Sequence, residues 1–89
     1  MWKLEIGKQS EKFLEKNSRE VTDRVYDKIR NIKDWLENRS NLIVDLKKLK
    51  GDYQGSYRVR AGKIRIIISI DKKKSIVKIQ NINFRGSIY

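Results

Sequence analysis

Tyr57-Arg58-Val59-Arg60-Ala61-Gly62-Lys63-Ile64-Arg65-Ile66-Ile67-Ile68-Ser69-Ile70 alternates apolar with cationic residues. Ile76-Val77-Lys78-Ile79-Gln80-Asn81-Ile82-Asn83-Phe84-Arg85-Gly86-Ser87-Ile88-Tyr89 repeats the pattern. Successive side chains of an extended chain point to opposite faces. Ile64, Ile66, Ile68 and Ile70 therefore share one face and Arg65 lies on the other, while Arg58 and Arg60 share a face with each other. The spacing predicts a hairpin of strands 63–70 and 75–82 around Asp71-Lys72-Lys73-Lys74, with 84–89 a short final segment. A concave arginine face would be a cationic surface suited to phosphates.

Upstream, Trp2-Lys3-Leu4-Glu5-Ile6 alternates as a short half-buried strand, and Gly7 ends it. Residues 7–39 read as a short and a long helix folded as a hairpin. Asn17, with Glu20 three residues on, is the expected N-cap of the second. Val21, Val25, Ile29, Ile32 and Leu36 recur at spacings of three and four, one buried helical stripe that Trp35 widens. Trp2 and Trp35 are read as core aromatics. Asn38-Arg39-Ser40-Asn41 should end the helix. Residues 42–46 read as a last helical turn or an extended approach, Lys47-Lys48-Leu49-Lys50-Gly51 as a basic turn, and 51–56 as a loop. The predicted architecture is α+β: two layers, an N-terminal strand and a two-helix hairpin packed on a curved, mainly antiparallel sheet of four to five strands. The isoleucine face must meet Val21, Val25, Ile29 and Ile32.

The chain of 89 residues makes a single domain, 1–89. Lys and Arg total 22 against 11 acids, a formal charge of +11, which points to a polyanionic partner. Cysteine and histidine are both absent, which excludes disulfides, thiolate metal sites and the usual neutral-pH acid–base residue. Asp23, Asp27 and Glu20 lie at helical spacing but form no recognisable metal site, so no metal or cofactor is expected. No apolar run spans a bilayer or forms a secretory leader, so the expected compartment is the cytoplasm, without a membrane partner.

Leu49-Lys50-Gly51, then Tyr57-Arg58-Val59-Arg60-Ala61-Gly62, then Ile64-Arg65-Ile66, and finally Arg85-Gly86-Ser87-Ile88-Tyr89 occur in an order that resembles the RelE/ParE toxin superfamily over nearly the whole chain. Within it the chain looks most like archaeal RelE proteins. The resemblance implies the fold of microbial RNases and the toxin of a type II toxin–antitoxin system, a ribosome-dependent mRNA endonuclease cutting in the A site by 2′-OH attack without a metal. It implies catalytic roles for Arg65, Arg85 and Tyr89, and substrate binding by Arg58 and Arg60. The basic run Lys47, Lys48 and Lys50 could contact ribosomal RNA at the rim. The implied partners are the ribosome, mRNA and a small acidic RelB-like antitoxin wrapping the toxin. The toxin would be monomeric in itself, and a heterodimer or heterotetramer with that antitoxin.

The bacterial branch has lysines where this chain has Arg58 and Arg60; arginine stays charged but cannot lose a proton near neutrality. Many members carry Gly-His before the terminal arginine, where this chain has Asn83-Phe84, so that histidine cannot serve as base. Tyr89, with an ordinary tyrosine pKa of about 10, would need neighbouring arginines to become a usable base; otherwise its ring is suited to stacking on a nucleobase. Two further readings remain open at this point: a ParE-like poison of DNA gyrase, and a non-catalytic RNA- or antitoxin-binding degenerate toxin.

Overall fold

A computed structural model describes residues 2–38, 46–48 and 55–84. Its elements are β1 (Lys3–Ile6), α1 (Lys8–Lys16), α2 (Arg19–Asn38), β2 (Leu46–Lys48), β3 (Ser56–Ala61), β4 (Ile64–Asp71) and β5 (Ile76–Phe84). The strands form one open sheet in the order β1-β5-β4-β3-β2. β2, β3, β4 and β5 pair antiparallel, and β1 joins the far edge of β5 in parallel. The expected two-layer α+β architecture is therefore what the chain forms.

The isoleucine alternation works as the pattern requires. Ile66, Ile68, Ile79 and Ile82 have no exposed surface, and they pack with Ile64, Val59, Ala61 and Val77. α2 brings Val25, Ile29 and Ile32 to the same cluster, with Val21 and Leu36 packed at its margin. Burying each such side chain is worth roughly 1.5–3 kcal/mol, so the core is concentrated on the helix side of the sheet. Trp35 departs from its expected place: it is 37% exposed, because the stripe through Val25, Ile29 and Ile32 places it at the margin.

Local chemistry sets the joints. Ser18, not Asn17, caps α2: the Val21 amide donates to Ser18 Oγ at 3.4 Å, and the Thr22 amide donates to the Ser18 carbonyl at 3.1 Å. Asn17 instead closes α1, its side-chain amide donating to the Phe13 carbonyl at 2.7 Å. The sequence offers two adjacent capping residues, and only the direction of the chain between the helices chooses between them. Gly62 takes φ +64° in the two-residue turn from β3 to β4, a left-handed value that side chains resist. At the β4–β5 turn Asp71 Oδ1 accepts the Lys74 amide at 3.0 Å.

α1 seals the edge of β5 that β1 leaves uncovered. β1 pairs only as far as Ile6 opposite Ile79. Beyond it, the Gln9 carboxamide accepts from the Ile82 amide and donates to the Ile82 carbonyl, both at 2.9 Å. One side chain thus replaces a strand's worth of backbone pairing at that residue. The Ile79 carbonyl accepts both the Gly7 amide at 2.9 Å and the buried Ser10 hydroxyl at 3.2 Å. A Cβ at position 7 would lie 3.1 Å from that carbonyl, which is why the crossing needs glycine.

Three segment readings change. Lys47 and Lys48 belong to an edge strand rather than a turn, because their backbones pair with Arg58 and Tyr57. β3 reaches back to Ser56, at the end of the expected loop. Phe84 ends β5 opposite Ile64 instead of opening a separate segment. Residues 42–45 and 49–51 lie outside the described residues.

Candidate nucleic-acid interface

Cross-strand partners share a face, so the pairing register assigns the other side of the sheet row by row. One row reads Arg60–Arg65–Asn83, the next Lys47–Arg58–Ile67–Asn81, and the next Ser56–Ser69–Lys78–Glu5. Arg58, Arg60, Arg65 and Lys47 thus stand on adjacent strands of a single surface opposite the α2 layer. Among the described residues, the acids of this face are Glu5 and Asp71, toward its other end. Lys48 pairs with Tyr57 and takes the helix-side face, since alternation sends neighbouring side chains of a strand to opposite sides. Lys72, Lys73 and Lys74 lie in the β4–β5 turn, away from the arginine rows. Arg85, Tyr89 and Lys50 lie outside the described residues.

The three arginines are half-buried, and the Nε atom of each is buried. For Arg58 and Arg60 that nitrogen has no hydrogen-bond partner among the described residues. Leaving such a donor unmatched costs about 1–3 kcal/mol, and close packing of the stems restricts where the guanidinium forks can go. Arg60 and Arg65 are direct cross-strand neighbours, a like-charge juxtaposition that works against the sheet. Two ion pairs run along the exposed side of α2: Arg24 with Glu20 at 3.2 Å, and Arg30 with Asp27.

Reading the arginines alone missed the polar residues beside them. Gln80, Asn81 and Asn83 share this face on β5, and their signal was the break in the alternation at Gln80-Asn81, where two polar residues stand in a row. The register slips between Ile67 and Ile68, so Asn81 pairs with Ile67 while Ile79 pairs with Ile68. Gln80 is the extra residue of this bulge. Its Oε1 accepts from Ser56 Oγ at 2.6 Å, which places its side chain on the arginine side. The Asn83 side-chain amide donates to Asn81 Oδ1.

The architecture is RelE-like. Among proteins of that architecture the chain is similar to archaeal RelE. It is 29% identical to a chain of the archaeal RelE–RelB complex from Pyrococcus horikoshii OT3, covering 97% of each chain with a TM-score of 0.71. It is 28% identical to a chain of the RelB–RelE antitoxin–toxin complex of Methanococcus jannaschii, over 96% of this chain and 94% of that one, with a TM-score of 0.70. The intact E. coli RelBE toxin–antitoxin complex shares the fold at 12% identity and a TM-score of 0.66, over 98% and 99% of the two chains. No family model and no curated protein sequence matches the chain. The structural neighbours are toxin components from toxin–antitoxin complexes.

Proposed function

We propose that the 89 residues act as one toxin domain of a type II toxin–antitoxin system, cutting ribosome-bound mRNA in the A site. The observation that carries this reading is the Arg60–Arg65 row with Arg58 and Lys47 beside it, on a sheet face clear of the helix layer. In the reaction the RNA 2′-OH attacks the adjacent phosphorus in line. The 2′-OH gives up its proton as the new bond forms; the bond to the 5′-oxygen breaks, leaving a 2′,3′-cyclic phosphate, and the departing 5′-oxygen takes up a proton to become a 5′-OH. Arginine forks suit the added charge on the phosphorane, since they offer paired donors and remain charged. Arg65, central among the cations, is assigned to that charge. Arg58, Arg60 and Lys47 hold the backbone, and Lys48 is left to the rim. By resemblance, Arg85 and Tyr89 complete the catalytic set, with no metal.

The structural neighbours, toxins solved with their antitoxins, support an antitoxin as partner; by resemblance that partner is small, acidic and RelB-like, in a heterodimer or heterotetramer, and the site of action is the ribosome in the cytoplasm. None of the described helices is long and apolar enough to cross a membrane. The test is primer extension on mRNA in a reconstituted translation reaction. Wild type should give codon-linked breaks with cyclic phosphate ends, and Arg65→Ala should lower the rate about a hundredfold to a thousandfold. Breaks that persist unchanged in Arg65→Ala would overturn the assignment. Stalled gyrase–DNA complexes in place of RNA breaks would overturn the reaction.

A further inference from the structure

The arginine face is divided by strand. Its arginines Arg58, Arg60 and Arg65 stand on β3 and β4, with Lys47 beside them on β2, while β5 contributes Gln80, Asn81 and Asn83 next to the arginines and Lys78 beyond the bulge. The bulge creates this arrangement, since a regular strand would send Gln80 and Asn81 to opposite faces. Phosphate contacts position a nucleic acid, whereas contacts to base edges read its sequence. Carboxamides are suited to the second task because each carries both a donor and an acceptor. We infer that the Gln80–Asn81–Asn83 carboxamides of β5 form a base-reading strip, hydrogen-bonding the edge of an unstacked RNA base whose backbone the arginines hold. This deepens the proposed function and rests on it for the identity of the substrate.

The hydrogen bonds within the strip set what it offers. Asn83 spends one amide N–H on Asn81 Oδ1. That bond engages Asn81 Oδ1 and one Asn83 N–H, so the Asn81 Nδ2 donor and the Asn83 Oδ1 acceptor are the groups the pair has left to offer a ligand. Gln80 is held by Ser56, whose hydroxyl donates to Gln80 Oε1, so its own amide N–H groups remain for a ligand. A neighbouring donor and acceptor match the Watson–Crick edge of a splayed single-stranded base, the part of RNA that side chains can reach. The arginines, by contrast, are blind to base identity.

Asn81→Asp makes a sharp test. The aspartate still accepts from Asn83, but its outward group becomes an acceptor, so the strip then offers two acceptors side by side. Guanine is the base with two adjacent donors, N1–H and the 2-amino group. The experiment uses the full chain in two assays. One sequences the 5′ ends cut from a translated mRNA with a randomised A-site codon. The other measures anisotropy with short fluorescent RNA oligomers of single composition at fixed salt.

Wild type should prefer some codons and oligomers over others. Asn81→Ala with Asn83→Ala should reduce that preference about tenfold or more. Asn81→Asp should move the preference toward guanine in both assays. Arg58→Ala should weaken all oligomers alike. Profiles unchanged in both asparagine variants, or a wild type without preference, would overturn the inference. If no variant or wild type cuts mRNA, the proposed function fails, and the oligomer ratios alone decide the base-reading strip. Unfolding curves matching wild type exclude loss of the fold as the cause.

Discussion

Replacing Arg60 by threonine should make this protein more stable while weakening its grip on RNA. Arg60 stands directly opposite Arg65 in the β3–β4 ladder, and its Nε is buried without a hydrogen-bond partner among the described residues. Directly opposed side chains in a ladder have Cβ atoms about 4.5–5.5 Å apart, and a like-charge pair there costs roughly 0.2–1 kcal/mol. An unsatisfied buried donor adds about 1–3 kcal/mol. Against this, the variant loses the packing of the arginine stem, at about 0.8 kcal/mol per buried methylene. Threonine favours extended backbone and restores some of that contact. The expected balance is a gain of about 1 kcal/mol, or about 4–8 °C in Tm for a chain of this size. Thermal unfolding followed by circular dichroism at 0.1 M and 1 M salt is the assay. The gain should be larger at low salt, because the screening length falls from about 10 Å to about 3 Å between those conditions. A Tm at or below that of wild type in 0.1 M salt would refute the claim that the arginine face is held together at a cost.

Three other outcomes follow from the packing and the register. Ile66 has no exposed surface at the centre of the core; Ile66→Ala should cost about 2–5 kcal/mol, a large share of a typical stability, seen as a collapsed Tm or urea midpoint. Gln9→Ala removes both side-chain bonds to Ile82. It should destabilise by about 1–3 kcal/mol and speed hydrogen exchange at the Ile82 amide more than at Ile66, a contrast read residue by residue by NMR. Lys47 shares the arginine face and Lys48 does not. Lys47→Ala should therefore reduce the salt dependence of single-stranded RNA binding by about 0.7 in the log–log slope, with Lys48→Ala leaving it unchanged.

Much of the architecture was legible because its signals are local. Alternating isoleucines in 64–70 and the three-and-four spacing of Val25, Ile29 and Ile32 each state which side of an element is apolar, and burial does the rest. The same alternation placed Arg58 with Arg60, and Arg65 on the polar side of its strand. Where structure and pattern differ, the outcome depends on which neighbour a segment meets. Ser18 took the cap expected of Asn17 because the chain's path between the helices selects one of two adequate residues. Trp35 looked like part of the core stripe yet lies at its margin, since side-chain spacing does not say where the opposing sheet ends.

The amino-acid sequence by itself determined the apolar and cationic faces, because side-chain periodicity is a property of a single strand or helix. Only the tertiary structure decided which cations meet. Pairing register put Arg60 opposite Arg65, sent Lys48 away from Lys47, and set β1 in parallel beside β5. It also inserted the bulge that carries Gln80 and Asn81 to one side. Register depends on hydrogen bonds between distant segments and on the fit of one packed face against another, so no stretch read alone contains it.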